Sequence, residues 1–124
     1  METEVREISI NGVTYIPKGE ITPATELNGM KYVICRTYSA GVFAGYLKSK
    51  EFKDGHYAVT LKRARRLWQW FGASLSQVAE SGISDESKCK FPEEVSVIDL
   101  SAIEIIYCTE KSRLEIQAVK VWKV

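Results

Sequence analysis

The chain has 124 residues, of which 27% are charged and 45% hydrophobic, and its 17 basic and 16 acidic side chains leave a net charge near +1. This length and composition predict one globular domain over residues 1–124, and the near-neutral charge argues against a protein that follows nucleic acid or an anionic membrane through an overall basic field. The acidic first residues and the lack of a long apolar run predict a cytoplasmic protein without signal peptide or membrane anchor.

The first half of the chain predicts strands joined by short turns. EISINGVTYI predicts a hairpin at about 5–17, because Asn11-Gly12 suits the two positive φ angles of a tight turn. KYVICRTY at 31–38 has the clearest strand pattern, since it alternates and is rich in Tyr, Val and Ile. The small residues at 39–41 then predict a turn, followed by strands at 42–50 and about 57–61. Short connections between consecutive strands predict an antiparallel meander.

The second half predicts two short helices and further strands. Ser74 and Gln77 match the capping-box pattern of a helix that ends at Gly82. VSVIDL and AIEIIYC are predicted as two strands separated near Ser101, Thr109 as the cap of a last helix, and the terminal VKVWKV as an alternating segment. The resulting prediction is an α+β fold, with an antiparallel sheet of five or more strands, an N-terminal hairpin and two short helices.

Residues that support catalysis or metal binding are sparse. His56 is the only histidine and lies beside a turn glycine, with no nucleophile motif near it in the sequence. The three cysteines are odd in number and far apart, which fits neither a disulfide framework nor a CxxC metal site. Glycine-rich phosphate loops are absent from the sequence as well. The sequence therefore predicts no catalytic residue, no metal and no cofactor.

The most distinctive segment is KRARRLWQWFG at 62–72, where arginines run directly into large aromatic residues. Guanidinium groups bind phosphate and aromatic faces stack on planar rings, so the segment favours a flat, anionic ligand such as a nucleotide. If it is a strand, Arg66, Trp68 and Trp70 share one face; if it is a helix, Arg63, Arg66 and Trp70 turn outward. The alternative interpretation is that the aromatic residues form core and the arginines cover its edge.

A second candidate segment covers 36–41, where a strand end runs into a turn of small residues whose N–H groups and hydroxyls can receive phosphate oxygens. The alternative is that these residues simply make a tight hairpin. The candidate ligand-binding residues are of three kinds, namely cations for phosphate, aromatic side chains for stacking and donors of the turn: Arg36, Arg65, Arg66 and Arg113; Tyr38, Trp68 and Phe91; Ser39 and Gly41.

Over residues 31–124 the chain resembles a group of small proteins encoded by phages and prophages. Four segments carry the resemblance: KYVICRTYSAGVFAGYLKSK, LKRARRLWQWFGASLSQVAESGI, CKFPEEV and AIEIIYCTEKS. This group is similar to the Thoeris anti-defence sponge family of the first type. Members of that family sequester cyclic ADP-ribose isomers, the signals of bacterial TIR-domain defence enzymes, and some also hold cyclic oligonucleotides.

The resemblance implies a nucleotide-binding sponge that does not cleave its ligand and acts in the cytoplasm of an infected bacterial cell. It further implies a homo-oligomer, a dimer or an assembly of dimers, with pockets at protomer interfaces. It assigns no individual site residue and does not extend to residues 1–30. Two other functions remain open from the residues themselves, namely a phage accessory protein that binds nucleic acid and a structural or protein-interaction module.

Overall fold

The N-terminal strands form a small sheet of their own. The computed structural model describes residues 8–10, 13–15 and 22–123. Strands β1 (Ile8–Ile10) and β2 (Val13–Tyr15) pair antiparallel, with Ile8 opposite Tyr15 and Ile10 opposite Val13. This confirms the predicted hairpin pairing, whereas the predicted Asn11-Gly12 turn lies outside the described residues.

Four longer strands form the main sheet, and it closes into a barrel. They are β3 (Lys31–Thr37), β4 (Val42–Lys53), β5 (His56–Arg66) and β6 (Val95–Tyr107), each antiparallel to the next, and β6 also pairs with β3. The predicted meander is confirmed for β3, β4 and β5. The third strand of this meander, β5, extends through the arginine segment as far as Arg66, beyond the predicted end at Leu61.

The prediction of five or more strands in the sheet is wrong, because two predicted strands are one. β6 continues through Ser101 without interruption and changes partner at Ala102, which lies opposite both Tyr57 of β5 and Thr37 of β3. A single long, bent strand therefore closes the barrel. The terminal VKVWKV segment does not form a further strand of the sheet within the described residues. Its Val121 makes an isolated parallel bridge to Phe91.

Two apolar clusters hold the fold together. One lies inside the barrel and includes Val33, Cys35 and Phe43. The other lies between the barrel and the helices and includes Tyr32 and Ile34. Successive side chains of a strand point to opposite faces, so β3 has apolar residues on both faces because both are covered.

Two helices cover the outer cluster: α1 (Leu75–Ser81) and α2 (Glu110–Ala118). Thr109 caps α2 as predicted, since its Oγ1 accepts a hydrogen bond from the Ser112 N–H at 3.1 Å. The predicted capping box of α1 is wrong, although Ser74 does precede the helix and Gly82 ends it. The Ser74 hydroxyl lies 3.0 Å from that of Ser76 and makes no capping bond.

All three cysteines are buried and free. Burial raises the pKa of the Cys35 and Cys108 thiols to about 12, because the thiolate would lie in apolar surroundings. Among the described residues no helix is both long and apolar enough to span a bilayer.

Candidate ligand cleft

The turn between β3 and β4 and the end of β5 line one cleft of about 380 Å³. We call it the turn cleft; its lining residues are Ser39, Ala40, Gly41, Val42, Arg66, Leu67, Trp68 and Trp70. The two segments are more than twenty positions apart in the sequence, and pairing of β4 with β5 places Phe43 opposite Arg66. A hydrogen bond from the Leu67 N–H to the Val42 carbonyl, 2.8 Å long, continues this pairing beyond the strand.

Four of the nine predicted ligand residues therefore meet in one place: Ser39, Gly41, Arg66 and Trp68. β5 ends at Arg66 and the chain bends at Trp68, yet Arg66, Trp68 and Trp70 all line the same cleft, and Leu67, which also borders it, is otherwise buried in the core. The shared position of Arg66, Trp68 and Trp70 agrees with the strand alternative. The helical alternative for these residues is wrong, because β5 runs to Arg66.

Arg66 is held by its neighbours in the cleft. Its guanidinium carbon lies 4.2 Å from the centroid of the Phe43 ring, and its Nη1 donates a hydrogen bond to the Ala40 carbonyl. Gly41 permits this arrangement, because a Cβ at that position would lie 3.1 Å from Nη1 and the backbone φ is +102°. Within residues 22–123 Arg66 makes no ion pair with a carboxylate, so its other N–H groups are available to an anion.

Trp68 has an exposed aromatic side chain that stacks on a second indole. Its side chain is 63% exposed, and its ring lies nearly parallel to that of Trp122, at 12° and with centroids 6.2 Å apart. The Lys90 ammonium lies 5.6 Å from the centroid of the Trp122 ring. Trp70, by contrast, is half-buried against the outer core cluster. One face of Trp68 is thus supported by a second indole, a contribution of Trp122 that no local sequence pattern indicated.

The structure places Arg65 and Phe91 in the interior, away from the cleft. Arg65 is 5% exposed and donates to three backbone carbonyls, those of Pro92 at 3.0 Å, Ile116 at 2.9 Å and Phe91 at 3.1 Å. Burial lowers the pKa of this guanidinium, which remains charged at neutral pH. For Arg65 and Phe91 the alternative interpretation applies, in which the aromatic residue and the arginine belong to the core and not to a ligand site.

The other three candidates lie outside the turn cleft. Arg36 pairs with Glu104 across the sheet, with Nε 2.8 Å from Oε1. Arg113 on α2 forms a two-point pair with Glu110, and this bonding raises the pKa of the Arg113 guanidinium. Tyr38 is 90% exposed and lines a neighbouring cleft with Ser39.

The turn cleft combines a cation, an aromatic face and small turn residues in one recess. Its volume falls within the range of small-molecule pockets, roughly 300 to 1,000 Å³. A guanidinium beside an indole can bind a phosphate and a planar ring of one ligand. Among the described residues no group of histidine, cysteine and carboxylate side chains is arranged to hold a metal ion.

Comparison with known proteins gives one family. No curated protein and no solved structure has significant similarity to the chain. One family model, described as "Domain of unknown function (DUF6948)", matches residues 30–116. The match covers the whole barrel and every residue that lines the turn cleft, and it ends before Trp122. The chain therefore belongs to the family of this domain of unknown function.

Proposed function

We propose that this protein binds a compact anionic ligand with a planar ring in the turn cleft and sequesters it without cleaving it. The observation that carries the proposal is that the small-residue turn and the Arg66–Trp70 segment line one recess. A cyclic nucleotide has the matching groups, namely a base to stack on Trp68 and phosphate oxygens for Arg66 and the turn.

The state of the arginines favours a compact ligand over a long nucleic acid. Arg36, Arg63 and Arg113 each pair with a carboxylate, at Glu104, Glu94 and Glu110 respectively. Arg65 is buried and bonded to carbonyls. Arg66 is thus the arginine that places positive charge at the cleft. Binding along a nucleic acid strand usually requires many basic residues in a continuous row.

Within this class we propose a cyclic ADP-ribose isomer, or a cyclic oligonucleotide, as the ligand. The basis is the resemblance of residues 31–124 to anti-defence sponges, together with the ring-and-phosphate chemistry of the cleft. On this proposal the protein works in the phage-infected bacterial cytoplasm, where it lowers the concentration of an immune signal. The alternatives to this proposed function are a nucleic-acid accessory protein and a structural or protein-interaction module.

We also propose that the protein works as a homo-oligomer. Tyr38 and Trp68, next to or in the cleft, are 90% and 63% exposed, and large exposed aromatic residues are enriched at sites where partners bind. A second copy would cover them and close the cleft over the ligand. Light scattering with and without ligand measures this state directly, and a monomer under both conditions contradicts it.

Isothermal titration with cyclic ADP-ribose isomers and cyclic oligonucleotides tests the ligand class. We expect saturable binding that Arg66→Ala removes, whereas the control Arg63→Ala leaves it unchanged, because Arg63 is on the same strand but pairs with Glu94 outside the cleft. Absence of heat with every ligand at micromolar protein contradicts the proposal. Binding of single-stranded DNA or RNA that weakens steeply with salt favours the accessory-protein alternative.

A further inference from the structure

A second cleft adjoins the same turn. It has a volume of about 260 Å³ and is lined by Thr37, Tyr38, Ser39, Ala40, His56, Ser101 and Ile103. We call it the histidine cleft; it shares Ser39 and Ala40 with the turn cleft. The two ends of β5, His56 and Arg66, thus line two clefts that share this turn.

The partner change of β6 creates this second cleft. Ala102 lies opposite both Thr37 and Tyr57, so the residues before and after it line a corner between β3 and β5. There the Ser101 Oγ lies 2.8 Å from the His56 Nδ1. His56, which the sequence places beside a turn glycine, therefore lines a recess and has a hydroxyl partner.

The walls of the histidine cleft carry hydrogen-bond donors. Thr37 Oγ1 accepts the Ala40 N–H at 2.8 Å and donates to the Gly41 carbonyl at 2.7 Å, which holds the turn in one conformation. The His56 imidazole and the Ser101 hydroxyl both line this recess, and such groups are suited to hydrogen bonds with the oxygen atoms of an anion.

We propose that the histidine cleft is a phosphoryl subsite, and that one ligand spans the turn with its ring on Trp68 and a phosphoryl group at His56 and Ser101. The placement of the ring on Trp68 rests on the proposed function, whereas the binding of a phosphoryl group at His56 and Ser101 does not depend on it. Binding suits the pair better than catalysis. A histidine that acts as a general base is usually oriented by a hydrogen bond to a carboxylate. Within residues 22–123 no carboxylate makes such a hydrogen bond to the His56 ring.

The single histidine makes the subsite directly measurable. We expect inorganic pyrophosphate, added at constant pH and ionic strength, to shift the one imidazole C2 proton resonance saturably. Ser101→Ala should weaken this binding about three- to tenfold, the cost of one lost hydrogen bond. The matched control Ser96→Ala, an exposed serine on the same strand, should leave it unchanged. A shift that does not saturate, or that is identical in Ser101→Ala, overturns the subsite.

A second titration separates the subsite from the proposed function. ADP carries a ring and two phosphoryl groups, so we expect it to shift the His56 resonance and also to change tryptophan fluorescence, with the fluorescence change lost in Trp68→Leu. If pyrophosphate shifts His56 but ADP and the cyclic nucleotides leave the fluorescence unchanged, the subsite stands and the proposed function fails. If cyclic nucleotides bind with heat that His56→Ala and Ser101→Ala do not alter, the proposed function stands and the subsite fails.

Discussion

Arg65 and Arg66 are neighbours in the sequence, but their guanidinium groups lie on opposite faces of β5. Arg65 faces the helices, where it donates to the carbonyls of Pro92, Ile116 and Phe91. Arg66 faces the turn cleft and lies over Phe43. The period of two along a strand separates them, so one arginine belongs to the core and the other to the candidate site.

Replacing Arg65 should destabilise the protein. Arg65→Met leaves three interior carbonyls without their donor, and we expect the free energy of unfolding to fall by about 3 kcal/mol. Urea denaturation followed by circular dichroism measures this. The matched variant Arg66→Met should cost less, about 1 to 2 kcal/mol, for the contact with Phe43 and the hydrogen bond to the exposed Ala40 carbonyl. Equal losses in the two variants would contradict the division of roles between the arginines.

Gly45 should be intolerant of a side chain for steric reasons. A Cβ there would lie 3.0 Å from the Ala64 Cα and 3.1 Å from the Lys62 carbonyl oxygen, at an irregularity where β4 and β5 approach closely. We expect Gly45→Ala to lower the free energy of unfolding by about 1 to 3 kcal/mol.

Gly29→Ala is the control for this substitution, because Gly29 has a φ of +82° but open space around it. It should cost about 1 kcal/mol, through backbone conformation alone. If Gly45→Ala proves no more costly than Gly29→Ala in the same urea titration, the close approach of the strands does not determine stability at this position.

Stability should depend on the Glu110 carboxylate in acid. Bonding to Arg113 holds the pKa of Glu110 at about 2, below its ordinary value of 4.5. Between these two pH values the unfolded chain takes up a proton that the folded chain does not, so this contribution is present above pH 4.5 and is lost as the pH falls towards 2. We expect the urea midpoint of the wild type to fall over this range, and that of Glu110→Gln to fall less. Parallel curves would contradict this role of the pair.

The stacked indoles should give a spectroscopic signal. Trp68 and Trp122 lie 6.2 Å apart and nearly parallel, a geometry that predicts exciton coupling in far-ultraviolet circular dichroism. We expect Trp122→Leu to remove this couplet and to weaken ligand binding about three- to tenfold, because Trp68 loses its aromatic support. Val121→Ala serves as the neighbouring control. A couplet that persists unchanged in Trp122→Leu would show that the signal does not arise from this pair and would contradict the prediction.

The strands and helices were predictable where one local pattern determined them. Alternation in 31–38 and the Thr109 cap each depend on residues adjacent in the chain, and both predictions are confirmed. The strand count was wrong because Ser101 reads as a break between two apolar runs. In the barrel the same residue lies before the point where β6 changes partner, and pairing with β5 and then β3 keeps the chain extended.

The sequence by itself determined which kinds of residue were available, a cation-rich aromatic segment and a turn of small residues, since both are contiguous. Only the tertiary structure decided which of them meet. Pairing of β4 with β5 brings Gly41 to Arg66, and the alternation of β5 sends Arg65 into the core. Closure of the barrel likewise brings Ser101 to His56 across 45 positions. Contacts between distant segments depend on the register and closure of the sheet, which no local pattern encodes.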